Sequence, residues 1–142
     1  MKTRTLSLAV VAALLATTGV ASAETRKFSG TLEPTGKISF TFKLKRDKNK
    51  KIIRSSRRVS KVKIKGLSLR FCDETPGRLI SATLPGKFKF EGPSFRGAAS
   101  VGGFQWDISG PIFSKATKAQ GSVTARSGSC YGTSSFTAKK KR

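Results

Sequence analysis

From Lys37 to Leu44 the chain alternates strictly. Ile38, Phe40, Phe42 and Leu44 fall in one phase, and Lys37, Ser39, Thr41 and Lys43 in the other. A period of two is the signature of a strand with one dry face and one wet face, as in an antiparallel sheet. Phe28, Gly30 and Leu32 alternate just before it, and Glu33-Pro34-Thr35-Gly36 supplies a proline that presets φ and a glycine that permits positive φ. Strands over 27–32 and 37–45, joined as a hairpin, follow. The stretch 45–58 holds only Ile52 and Ile53 as apolar anchors, so a long loop or a flared hairpin tip is expected. The longest strand is expected over 59–71. Val62 and Ile64 share one phase, Leu67, Leu69 and Phe71 the next, and Gly66 sits at the slip, where a β-bulge would keep both sets facing inward.

Further along, Asp73 to Gly77 reads as a turn, Leu79 to Leu84 as a short strand, Pro85-Gly86 as a turn, and Lys87 to Phe90 as another strand. The Gly- and Ala-rich stretch 92–100 has no clear pattern. Phe104, Trp106 and Ile108 alternate inward, with Gly110-Pro111 as the expected break. A last hairpin pairs 119–125 with 133–139. No window repeats at helical spacing. The chain reads as all-β, with about eight antiparallel strands in a sandwich or small barrel. Most phenylalanines lie in inward phases, and Phe95, Phe113 and Tyr131 are the loosely placed aromatics.

The first 23 residues read differently. Lys2 and Arg4 precede an apolar run over 6–20, and Ala21-Ser22-Ala23 ends it with small residues. This is the pattern of a Sec-type signal peptide cut after Ala23, with an apolar run short of the ~20 residues a membrane span needs. The expected product is one secreted domain over 24–142, extracellular or in the cell envelope, with no later membrane segment. Cys72 and Cys130 are the only cysteines. Two cysteines in an exported domain pair by default, and closing that loop contributes about 4 kcal/mol on the chain-entropy model.

Charge changes the picture most. The chain has 29 Lys and Arg against 7 Asp and Glu; without Lys2 and Arg4 the balance is 27 against 7, or +20. Twelve of the cations fall between positions 43 and 65: Lys43, Lys45, Arg46, Lys48, Lys50, Lys51, Arg54, Arg57, Arg58, Lys61, Lys63 and Lys65, with Asp47 the one acid among them. On a strand, Lys61, Lys63 and Lys65 share a face about 6.6 Å apart, a spacing that suits an extended polyanion. The competing explanations are a solubilising face, or lysines that guard an edge strand against other sheets.

Catalytic signals are thin. There is no histidine, which removes Ser-His-Asp and Cys-His machinery and the commonest metal ligand. Glu91 and Asp107 are the carboxylates left for a glycosidase-like pair once those in turns are set aside, and balancing nearby lysines explains them as well. No enzyme, cofactor or metal is expected. The segment 130–141, with Ile38-Ser39-Phe40 and Cys72, resembles small exported actinobacterial proteins, a resemblance that implies a secreted β domain and carries no activity. The leading expectation is a non-enzymatic cationic β domain that binds anionic envelope polymers or serves a structural role. The alternative is a small exported inhibitor or scaffold whose charge serves solubility.

Overall fold

The computed structural model describes residues 22–70, 78–113 and 115–142. Eight strands follow one another: β1 (Ser22–Leu32), β2 (Lys37–Arg46), β3 (Ile52–Ser68), β4 (Leu79–Glu91), β5 (Ser94–Val101), β6 (Phe104–Phe113), β7 (Lys118–Ser127) and β8 (Cys130–Lys140). Each pairs antiparallel with its neighbour in sequence, and β8 returns to β1, so the sheet closes into an up-and-down barrel. Of sandwich and barrel, the barrel is the fold. Residues 1–21 and Cys72 lie outside the described residues; Ser22 and Ala23 open β1, opposite Arg46 and Lys45.

The alternation read from the sequence builds the interior. Phe28, Ile38, Phe40, Phe42, Leu44, Trp106, Ile108 and Phe136 point inward and are buried. Phe40 sits among three rings, stacked on Phe28 at 5.1 Å, tilted against Phe95 at 5.6 Å and edge-to-face with Phe136 at 6.3 Å. Such pairs contribute about 0.5–1.5 kcal/mol each beyond the area they bury. Phe95 is fully buried and belongs to the core, contrary to its loose placement in the sequence. The bulge at Gly66 is present: the β3–β4 register slips between Ile64 and Leu67, Gly66 has φ +74°, and Val62, Ile64, Leu67 and Leu69 are all buried.

Four sequence expectations are corrected. Of a long loop and a flared hairpin tip, the second is nearer: residues 52–58 are the first part of β3, with Ile52 and Ile53 paired to Arg46 and Lys45. The tip is only 47–51, and the register slips between Lys43 and Lys45, so that residues 54–57 form a bulge opposite Leu44. Pro85-Gly86 does not turn the chain. It lies inside β4 as an irregularity opposite Lys61, merging two expected strands into one. The unplaced stretch is β5, whose Gly97 faces the ring of Phe88 so closely that a Cβ would collide with it. Gly110-Pro111 does not end β6, which runs on to Phe113; Gly110 is there because β7 passes against it, where a Cβ would strike the Gln120 carbonyl. The expected number of strands is right because one merger offsets one omission.

Candidate functional site

The outer wall across β1, β2 and β3 carries the residues of interest. Lys61, Lys63 and Lys65 all point to solvent, as their spacing predicts. Lys61 has φ +53°, a left-handed conformation at a register slip between Ser60 and Val62. It is therefore a bulge residue rather than part of a regular row. The strand is not an edge: β3 is paired to β2 on one side and β4 on the other, so guarding an edge does not explain its lysines.

Register brings in cations the sequence run did not include. Lys37 stands directly opposite Lys65, and Ser39 opposite Lys63. Ser29 stands between Ser39 and Lys139. The Lys141 amide donates to the Lys27 carbonyl at 2.7 Å, holding the two residues side by side. Small residues therefore form a floor between lysine rows. One depression of about 470 Å³ is lined by Ser29, Gly30, Ser39 and the stems of Lys37, Lys63 and Lys65. A second, about 200 Å³, shares Ser39 and Lys63 with it and adds Lys27, Lys61 and Lys141. Together they make a trough walled by six lysines, none with an ion-pair partner among the described residues.

The rest of the basic run behaves otherwise. Lys43, Lys45, Lys48, Lys50, Lys51 and Arg54 are exposed outside the trough. Asp47, the one acid in the run, shapes the tip: its Oδ1 accepts from the amides of Asn49 and Lys51. Three arginines are turned to structural use. Arg58 donates to the carbonyls of Ser55 and Arg57. Arg57 donates to those of Arg54 and Gly92, and stacks over Phe90 at 4.6 Å. Arg46 donates to the Lys50 carbonyl and to Glu24.

Glu24 is the centre of this second cluster, at one end of the barrel. Positions 24, 26 and 28 of β1 share a phase, so Glu24 and Arg26 continue the inward face of Phe28 into the barrel mouth. Arg46 does the same after Phe42 and Leu44. That phase was visible in the sequence, but β1 was expected to start only at 27. Glu24 pairs with Arg26 at 2.9 Å and with Arg46. Arg26 in turn donates to the carbonyls of Lys115 and Ala116, both in left-handed conformation. Each of three turns at this end thus has a carbonyl held by one arginine.

The hydrogen bond from Arg46, and then that from Arg26, hold the Glu24 carboxyl below the usual carboxylate range, against an opposing push from burial. A folded-state pKa below the unfolded one means stability that is present above the unfolded value and lost as pH falls through the folded one. Amide exchange at residues 47–51 and 115–117, corrected for intrinsic rates, is therefore expected to speed up as pH drops below about 4. In Glu24→Gln that acid response should vanish. An unchanged response in the variant would remove Glu24 from the role.

Glu91 and Asp107 do not form a pair. Both are exposed, and Asp107 lies four residues along β6 from Pro111, the position in register with Ser94 and so with Glu91. That is about 13 Å along the strands and two strands across, beyond the ~5–9.5 Å between glycosidase carboxylates. No group of metal-binding side chains occurs among the described residues. No family model, curated protein or solved structure matches the chain.

Proposed function

We propose that the protein is a secreted, non-enzymatic binding domain whose lysine trough engages an extended anionic polymer of the cell envelope. The observation that carries this reading is the set of six lysines around a serine floor, none paired with an acid among the described residues. Like charges directly opposite on a sheet are destabilising, as Lys37 and Lys65 are. A polymer with regularly spaced phosphates or carboxylates relieves that repulsion along the whole trough. The small floor residues let such a chain lie close, and the flexible lysine stems adapt to its spacing. Large exposed apolar side chains are split between the two barrel ends, Ile52 and Phe113 at one, Leu79 and Tyr131 at the other. That division gives less support to the alternative, a small exported inhibitor or scaffold that binds another protein and whose charge serves solubility.

Export by the 1–23 signal and a Cys72–Cys130 disulfide belong to the same proposal. The Arg70 amide donates to the Tyr131 carbonyl at 2.9 Å, so the residues two before Cys72 and one after Cys130 are already joined. Cα atoms of disulfide partners sit ~4.4–6.8 Å apart, a span the intervening chain can meet.

Linear inorganic polyphosphate is a suitable probe. Log K is expected to fall linearly with log salt, by about 0.7 per contacted charge. Replacing Lys37, Lys63 and Lys65 by Gln should flatten that slope by about two units. Replacing Lys48, Lys50 and Lys51, at the hairpin tip, should change it far less. Equal losses from the two triple variants would mean that net charge alone attracts the polymer, and the trough is not a site.

A further inference from the structure

The barrel mouth at the Glu24 end has a chemistry the outer wall lacks. A cavity of about 500 Å³ opens there, lined by Phe42, Phe90, Ile52 and Ile112 together with Arg26, Arg46, Arg57 and Lys115. Its size falls within the ~300–1,000 Å³ of small-molecule sites, which combine apolar walls with a few fixed polar groups. The interior below is filled by side chains, so a ligand would rest in the mouth rather than enter a lumen.

The arginines are held in place before any ligand arrives. Arg57 is fixed by the Arg54 and Gly92 carbonyls and by its stack on Phe90, which leaves its Nη1 without a partner among the described residues. Arg46 is fixed through Nε and Nη1, which leaves its Nη2 likewise. All three side-chain nitrogens of Arg26 are engaged, by Glu24, Lys115 and Ala116. Four cations line the cavity, and Glu24 pairs with two of them, Arg26 and Arg46. Partial burial, and then the charge of Arg54, already make the Arg57 cation harder to hold, so an arriving anion relieves a standing cost. Preorganised guanidinium groups favour planar anions that can take two hydrogen bonds, and Glu24 on Arg26 and Arg46 is an example already in place.

We infer that this mouth is a separate site for a small amphiphilic carboxylate: the head meets the free donors of Arg46 and Arg57, and an alkyl tail lies on Phe42, Phe90 and Ile112. The trough on the outer wall offers charge without apolar walls; the mouth offers both, and so selects a ligand with both.

Octanoate, 1-octanol and acetate separate the two requirements. Isoleucine methyl resonances are the readout, since Ile52 and Ile112 line the mouth whereas Ile38 and Ile64 are buried in the upper core. Octanoate should shift Ile52 and Ile112 saturably and leave Ile64 in place. At the same concentration, acetate and 1-octanol should each produce little shift. Arg57→Met should weaken octanoate binding by about tenfold or more, and Ile112→Ala should weaken it while leaving every guanidinium intact. The inference is overturned if acetate shifts the same methyls as strongly, if 1-octanol matches octanoate, if shifts are spread evenly over all isoleucines, or if neither variant alters the affinity.

Discussion

Gly30→Ala is expected to destabilise the barrel by more than about 3 kcal/mol and to do so by opening the seam between β1 and β8. A Cβ at Gly30 would fall on the carbonyl oxygen of Thr137 and against the Cα of Ala138, both backbone atoms of β8. A flexible side chain could swing aside, but a paired strand can only move as a whole. The seam is also short, with register from Phe28↔Lys140 to Leu32↔Phe136. Gly102→Ala is the matched control. Nothing lies within 4 Å of its Cβ, and its φ of +64° costs only about 1 kcal/mol. Urea unfolding of both variants checks this. Similar midpoints would show that β8 yields easily at Gly30 and that the close approach is unimportant.

Cys72→Ser is expected to lower stability by about 2–5 kcal/mol. The disulfide it removes would tie the β3–β4 connection to the first residue of β8. Thiol labelling of the unreduced, unfolded wild-type protein should give no adduct. If labels attach, the staple is absent, and the Arg70–Tyr131 hydrogen bond still joins the two segments. If no labels attach but the serine variant melts with the wild type, the bond exists and contributes little.

How far the sequence could be read depended on which physical signal each element carries. β2 and β6 announce themselves by alternation, because large apolar side chains must face one way. The Gly66 bulge was legible because a phase slip at a glycine has few other causes. β5 was not, since it carries few large apolar side chains and its Gly97 is small for a reason that lies on another strand, the Phe88 ring. Pro85-Gly86 and Gly110-Pro111 look like turns in isolation, but in the barrel they mark a bulge and a close approach of strands. The trough was half legible. Lys61, Lys63 and Lys65 stand together in the chain, whereas Lys27, Lys37 and Lys141 join them only through pairing register. The arginines of the mouth were half legible: Arg46 follows Phe42 and Leu44 in phase and Arg26 precedes Phe28, but they lie just beyond the expected strands 37–45 and 27–32, and a run of cations gives no hint that Arg57 caps a distant turn.

The order of strands around the barrel has a consequence for assembly. Every pairing but one joins neighbours in sequence, so hairpins can zip one after another with little loop to close. The exception joins β1 to β8, the two strands farthest apart in sequence. Until β8 docks, β1 has β2 on one flank and bare backbone on the other. Lys27 then has no Lys141 beside it. The trough is thus the last part of the surface to exist, completed by the same event that seals the wall.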